Sequence, residues 1–547
     1  MIKDVQEKLE ILVADTLKLL DISCVVRDDI KDSFFLSSGF GELSTNLAFK
    51  LAGRLKQSPR TLAEAIAAEL KKNYQAKIDV QYIQDVLAEG AGFINFYLSP
   101  DFFRQQLHKM LFQGRDYFRS DIGKSKKVLV EFVSANPTGP LSVAHARQAV
   151  VGDALANIFS FLNFDVTKEY YLNDEGNQIN ILGKSVELRI KELNGEKIEF
   201  PENYYQGEYI YDLARELKQK EFEAEDLAGF AAGKILAIIK EELKDFGVGF
   251  DSWYSQKSLR ESGKITEVLE SLKQKNFLYE QDQALWLRST EFGDDKDRVV
   301  IKSDGSYTYL APDIAYHEDK FKRGFQWLIN LWGPDHHGYI SRLKSSISAC
   351  NRDSEALSVI IVQLATIFRD GKIIEMSTRK GQYITLREVL NEVGTDAARF
   401  FFLMRKTSSH LNFDLELAKK QTSENPVYYV QYAHARISSI LRQGNIKNKD
   451  YSDTDFSLLK EKEELDLIRK LWTFTYMLEV CLKTLDPYMV TAYLQEVAEL
   501  FHRFYDHHRV LTNDTLLSQA RLSLIQATKN ILAQGLSLLG VSLPDKM

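Results

Sequence analysis

The chain has 547 residues, 44% hydrophobic and 27% charged, a composition that excludes global disorder, and it has no long apolar run of the kind that spans a membrane as a helix. A chain of this length cannot bury itself around one core, so about three or four domains are expected. The net charge of -7 would repel a polyanion on average but leaves room for RNA on local basic patches.

Three cysteines, Cys24, Cys350 and Cys481, stand too far apart for a zinc clip or a disulfide framework. No zinc is therefore expected, and a reducing cytoplasm fits.

In chain order, an amphipathic helix over residues 3–20 comes first. Its Asp4, Glu7, Glu10 and Asp15 argue against a secretory signal or a transit peptide. A Gly/Ser loop at 37–41, amphipathic helices to residue 70 and a strand over 92–98 complete a first α+β unit, residues 1–110, in which no catalytic constellation stands out. From 120 to 392 strands at 128–133, 166–172 and 327–332 alternate with helices at 142–162 and 340–350, the alternation of a doubly wound parallel sheet. A polar stretch at 195–207 and charged helices over 209–244 interrupt this pattern, so a split Rossmann-like domain is expected.

Beyond about 395 the strands vanish and helical patterns continue over 393–547. Leu494, Val497, Phe501 and Phe504 share one helix face, and Leu517, Leu524, Ile531 and Leu532 another. The polar run 444–455 breaks this bundle with a loop. The fold class expected is multidomain α/β: an α+β N-terminal add-on domain, a Rossmann-like doubly wound parallel-sheet domain and a C-terminal α-helical bundle.

The stretch from Val130 to His145 is the most informative. Val128, Leu129, Val130, Phe132 and Val133 form a nearly continuous apolar run, as in a central strand covered on both faces. The turn Asn136-Pro137-Thr138-Gly139-Pro140 leads into a helix marked by Val143, Val150, Leu155, Ile158, Phe159 and Leu162. Ser142 is then the N-cap. His145 and Arg147 put a proton donor and a cation in the first turn, where free backbone N–H groups attract phosphate. The same residues would equally serve an ordinary strand-turn-helix crossover with a solvated His145.

Four further stretches carry chemistry. Tyr309 and Asp313 lie four residues apart around a helix start, and a carboxylate beside a phenol suits a planar guanidinium; Asp313 could equally be a helix-start residue and Tyr309 core. Gly333-Pro334-Asp335-His336-His337 follows a strand at the sheet edge where ligands bind, and no third ligand at metal spacing is evident, so no metal site is expected. Met376-Ser377-Thr378-Arg379-Lys380 forms a basic loop that could clamp departing phosphates or simply be solvated. Tyr428, Tyr432 and Arg436 interleave aromatic rings with a cation along one helix, suited to unstacked bases or to a core.

Taken together, in order and over essentially the whole chain, these stretches resemble the arginyl-tRNA synthetases of class I. The segment 130–145 is similar to the family's HIGH motif in its longer form, with Ser142 where members usually carry histidine, Ala144 where they carry glycine, and the second histidine as His145. Residues 373–382 resemble the KMSK loop, with Glu375 and Thr378 in place of its lysines and Arg379 and Lys380 beside them. Similar wording around Thr45-Asn46-Leu47-Ala48 and Gly92-Phe93-Ile94-Asn95-Phe96 implies a tRNA-contacting N-terminal domain.

The resemblance implies ATP-dependent ligation of L-arginine to tRNA(Arg) through an arginyl-adenylate, with Mg²⁺, in the cytoplasm, by a monomer with no membrane partner. Glu131, Asn136, Tyr309 and Asp313 would bind arginine, Asn136 at the α-amino end. Pro137, Gly139, Ser142, His145, Gly333, Asp335, His336, Met376 and Ser377 would bind ATP, and Ser142, His145, Arg379 and Lys380 would offset the charge of the reaction. Tyr428, Tyr432 and Arg436 would meet tRNA. Ser142, Ala144 and Glu375 leave a second reading open, a catalytically weakened paralogue that acts as a tRNA-binding module.

Overall fold

A computed structural model describes residues 2–22, 25–37, 39–74, 80–219, 226–374, 383–444, 451 and 453–547. They form two compact units. One comprises Met1–Phe118, Ile437–Tyr476 and Glu499–Ile531, and the other Arg119–Arg436, Met477–Ala498 and Leu532–Met547.

The second unit is built on a five-stranded sheet. Its strands are wholly parallel and run, from edge to edge, Leu357–Ile361, Trp327–Trp332, Lys127–Glu131, Asp165–Leu172 and Ser252–Ser255. The first strand of the chain to enter is thus the central one. Later strands add on one side and then on the other, which makes a topological switch point beside Lys127–Glu131, the place where α/β sheets bind ligands.

Leu129 and Leu328 are fully buried with Leu343, Ile347 and Leu357 on one face of the sheet. The helix Val143–Phe161 packs against the sheet and the helix Leu386–Leu403, which explains why it is apolar almost all round. Gly152 on it faces the Phe132 ring, and a Cβ there would collide with that ring. Two smaller three-stranded sheets are added, Leu278–Gln281 with Ala284–Leu287 and Arg298–Ile301, and Ala365–Arg369 with Lys372–Ile373 and Leu411–Asp414.

That last strand corrects the expectation that strands end near residue 395. Leu411–Asp414 pairs in parallel with Ala365–Arg369, burying Leu411 and Phe413. It is four residues long, too short for an alternation to register against the helices around it. The loop expected at 444–455 falls largely outside the described residues, as does Cys24.

The first unit has a four-stranded antiparallel sheet, ordered Phe34–Leu36, Leu43–Thr45, Phe93–Leu98, Ile83–Glu89, with the helices Ile2–Leu19, Leu47–Leu55 and Pro59–Tyr74. Its core includes Phe102 and Phe103 edge-on to Trp472. Trp472 ends the helix Lys462–Trp472, so this unit draws on the C-terminal helices too. Buried Arg521 bonds Glu464 at 2.7 Å within it. Among the described residues no helix is long and apolar enough to cross a membrane.

Candidate active site

Glu131 closes the central strand, and the chain then turns through two strained residues, Val133 at φ 68° and Ser134 at φ 40°. A β-branched residue in the left-handed region costs about 1–3 kcal/mol, and such strain persists only where neighbours enforce it. Here Ser134 Oγ donates to Glu131 Oε1 at 3.3 Å and accepts from the backbone N–H of Tyr171 at 3.1 Å. The strained turn is thereby tied both to the Glu131 carboxylate and to the neighbouring strand Asp165–Leu172. Gly139 follows, pinched between Tyr209 and Tyr383, whose hydroxyl oxygens lie 3.0 and 3.2 Å from where a Cβ would stand. Those hydroxyls donate to the carbonyls of Thr138 and Pro140, at 2.9 and 3.1 Å, so a side chain at 139 would have to push one of these bonded tyrosines aside by a few tenths of an ångström.

Ser142 caps the helix Val143–Phe161, and its backbone N–H donates to His145 Nδ1 at 3.2 Å. A backbone N–H cannot accept, so Nδ1 is the lone-pair nitrogen and the proton sits on Nε2. The Ser142 hydroxyl lies 3.2 Å from the same Nδ1. Burial pulls the His145 pKa down to about 4, so near neutral pH the ring is an uncharged donor at the helix start.

Arg147 departs from expectation. It is fully buried, and its guanidinium donates to the carbonyls of Gln363 at 2.7 Å, Leu364 at 3.4 Å, Ser409 at 2.9 Å and Lys406 at 3.0 Å. It is a strut between the helix and the loops around the strand Ala365–Arg369, not a phosphate cation. Its partners lie more than two hundred residues along the chain, beyond the reach of local spacing.

The second half of the site starts at the helix Leu310–Lys322. Asp313 lies in its first turn, half-buried, and receives the Tyr339 hydroxyl at 2.6 Å. Burial pushes the Asp313 carboxyl up to about 7; Tyr339 and Lys320 oppose the shift and Glu131 adds to it. Lys320 is itself buried, bonded to Glu131 Oε2 and to Asn330 Oδ1, with its ammonium 4.2 Å from the centre of the Tyr316 ring. Glu131 therefore has its cation, while Asp313 makes no ion pair among the described residues. Tyr309 is 77% exposed at the same helix start. Asn136 donates to Gln178 Oε1 at 2.6 Å, which puts the helix Asn177–Leu193 at the rim.

At the end of Trp327–Trp332, Gly333 caps a short 3₁₀ turn, Pro334–Tyr339, that exposes Asp335 and His336. Gly333 lies near Gln148 on the helix Val143–Phe161, which brings that turn beside the Ser142 helix start. Thr385 forms an isolated antiparallel bridge with Ser142, and the N–H of Leu386 donates to the Leu141 carbonyl at 2.7 Å. The chain leaving the basic loop is thus fastened to the same turn. Met376, Ser377, Arg379 and Lys380 of that loop lie outside the described residues, together with Glu375.

Comparison with known proteins bears on the whole chain. Residues 106–439 match the catalytic domain family "tRNA synthetases class I (R)", residues 8–98 the arginyl tRNA synthetase N terminal domain, and residues 430–547 the DALR anticodon binding domain. The arginine–tRNA ligase of Geobacter sp. (strain M21) is 47% identical over 520 residues, 93% of either chain. That of Listeria welshimeri is 47% identical over 524 residues, 93% of this chain and 92% of its own. The chain belongs to the arginyl-tRNA synthetases. The structure of the Thermus thermophilus arginyl-tRNA synthetase covers 99% of this chain and 100% of its own with a TM-score of 0.75; at 20% identity this speaks for the fold. As a class I synthetase, the chain has an N-terminal add-on domain, a parallel-sheet catalytic domain and a helical anticodon-binding domain.

Against this family background, Tyr428, Tyr432 and Arg436 line up on one face of the helix Pro426–Gln443. The two rings stack with centroids 6.1 Å apart and planes 9° from parallel, and Arg436 lies 5.4 Å from the Tyr432 ring centre. All three are half-buried, leaving part of each residue outside the core. The residues that sequence reasoning missed are Tyr339, Lys320, Tyr171 and Gln178. Only Tyr339 left a local signal, three residues past His336 at the end of the same turn.

Proposed function

We propose that the arginine–tRNA ligation of this family proceeds here at the switch point of the parallel sheet. Asp313 and Tyr309 take the guanidinium of L-arginine, and Glu131 and Asn136 line the pocket, Asn136 toward the α-amino group. Pro137, Gly139, Gly333, Asp335 and His336 bind ATP with the Ser142–His145 helix start, and by resemblance to the family Met376, Ser377, Arg379 and Lys380 serve its phosphates.

The arginine carboxylate attacks the α-phosphorus, the bond to pyrophosphate breaks, and His145 Nε2–H and the helix N–H groups offset the charge that develops. A hydroxyl of the tRNA terminal ribose then attacks the adenylate carbonyl, and AMP leaves. Among the described residues no three His, Cys, Asp or Glu side chains gather in a metal-binding group. Mg²⁺ accordingly enters this reading with the ATP phosphates, as part of the substrate.

The observation that carries the reading is the charge arrangement: Glu131 already holds Lys320, and Asp313 is left as the carboxylate awaiting a cation. A guanidinium completes it. Lysine or citrulline would leave it badly paired. The proposal assigns residues 1–110 and 393–547 to tRNA, with Tyr428, Tyr432 and Arg436 on the anticodon side, and residues 120–392 to chemistry, in a cytoplasmic monomer.

Aminoacylation of unfractionated tRNA with each of the twenty labelled amino acids, with ATP and Mg²⁺, tests it. Charging with arginine alone is expected. Binding of tRNA without charging would favour the weakened paralogue, which Ser142, Ala144 and Glu375 bring into view.

A further inference from the structure

We infer that Tyr339 is a positioning residue for arginine recognition, its phenol holding the Asp313 carboxylate in the orientation the substrate guanidinium needs. This rests on the proposed arginine pocket and adds to it a residue from the nucleotide side.

A carboxylate grips a guanidinium well only when both oxygens face its fork. Asp313 has a short side chain at a helix start, and something must stop it from rotating. Lys320 cannot do so, because its ammonium is engaged by Glu131 and Asn330. The Tyr339 hydroxyl donates to Oδ2 at 2.6 Å, which occupies one acceptor direction and leaves Oδ1 and the remaining lone pair of Oδ2 for the ligand.

The phenol is itself fixed. Its ring lies edge-on to Trp332 with centroids 6.0 Å apart, the Arg342 guanidinium covers it at 4.9 Å, and it packs against the hydrophobic clusters of Leu310 and Leu343. Tyr339 also ends the turn that exposes Asp335 and His336, so the group that orients Asp313 is anchored to the segment proposed to meet ATP. The arginine and nucleotide sites thus share a rigid part.

The groups facing Asp313 are Glu131 from the central strand, Tyr171 from Asp165–Leu172, Tyr339 from the 3₁₀ turn and Lys320 on its own helix, while His317 Nδ1 bonds the Asp313 carbonyl at 2.8 Å. Arginine binding needs the carboxylate. Affinity should therefore fall as pH drops through about 7, where burial leaves Asp313 half-protonated. The Tyr339 bond favours the carboxylate, so its loss raises that midpoint and carries the fall in affinity to higher pH.

Equilibrium binding of labelled L-arginine across this pH range, with MgATP binding as a control, tests the inference. Tyr339→Phe is expected to weaken arginine by about tenfold at neutral pH, the worth of one hydrogen bond to a charged group, to move the midpoint upward, and to leave MgATP binding in place. Incorporation of 3-fluorotyrosine at 339, a stronger donor of nearly the same shape, should move the midpoint downward. Unchanged affinity and midpoint in both variants would overturn the role of Tyr339. Asp313→Ala separates this from the pocket itself. If it binds arginine like the wild type, the pocket reading fails, and if it loses arginine while Tyr339→Phe does not, only the present inference fails.

Discussion

The starts of two helices at the same sheet edge handle buried charge in opposite ways. In the helix Val143–Phe161 the cation is engaged inside the protein: Arg147 is enclosed by four backbone carbonyls, and burial keeps His145 neutral while a backbone N–H holds its Nδ1. What remains there is a set of donors with no net charge, suited to an anion that brings its own counter-ion. In the helix Leu310–Lys322 the carboxylate of Asp313 accepts one neutral hydroxyl and makes no ion pair among the described residues, the nearby Lys320 being bonded to Glu131. A buried charge that the protein completes itself serves the fold, and one that it leaves incomplete is where the proposed reading brings in the substrate cation.

Substitutions at the two starts should separate accordingly. The largest effect is expected at Asp313→Ala, which should reduce arginine-dependent pyrophosphate exchange by roughly a thousandfold or more, as when a site loses the partner of a charged substrate group. Circular dichroism should remain that of the wild type; near-normal exchange would erase the contrast.

Arg147→Met should act in the opposite currency. By stranding buried carbonyls it is expected to cost about 3 kcal/mol of stability, read in urea unfolding. Arg147→Lys should recover only part, since one ammonium cannot span that fan of acceptors. The smallest effect is expected at Ser142→Ala. The backbone N–H that fixes His145 survives, and loss of one hydroxyl should lower exchange about fivefold. A loss as large as at Asp313 would show that the hydroxyl, not the amide, governs His145.

Legibility in the sequence followed the range of the interactions. The central strand and the helix after it obey local periods, and the structure has them within a residue or two of the expected bounds; the Tyr428, Tyr432, Arg436 stripe lies on a helix as expected, one that continues to Gln443. The fold class came through the same regularities and the family's motifs. Arg147 reads locally as a first-turn phosphate cation because the carbonyls that accept its hydrogen bonds come from loops near 363 and 406. Lys320 and Tyr339 went unnoticed for the same reason: each has meaning only against Glu131 or Asp313, brought close by sheet order. Strain at Val133 was equally hidden, since nothing in a valine announces a positive φ.

Arg399 carries one more consequence, for the order in which the chain acquires its shape. Fully buried, it bonds Asp153 on the helix behind the central strand, the carbonyls of Phe246 and Gly247 at 2.9 and 3.3 Å, and that of Leu539 at 2.7 Å. During synthesis Asp153 emerges long before Arg399, and Arg399 long before Leu539. The interior behind this sheet edge is therefore closed by a late-arriving segment, so the catalytic unit depends on contacts distant in sequence and its last buried ion pair network can set only once distant parts of its chain have met.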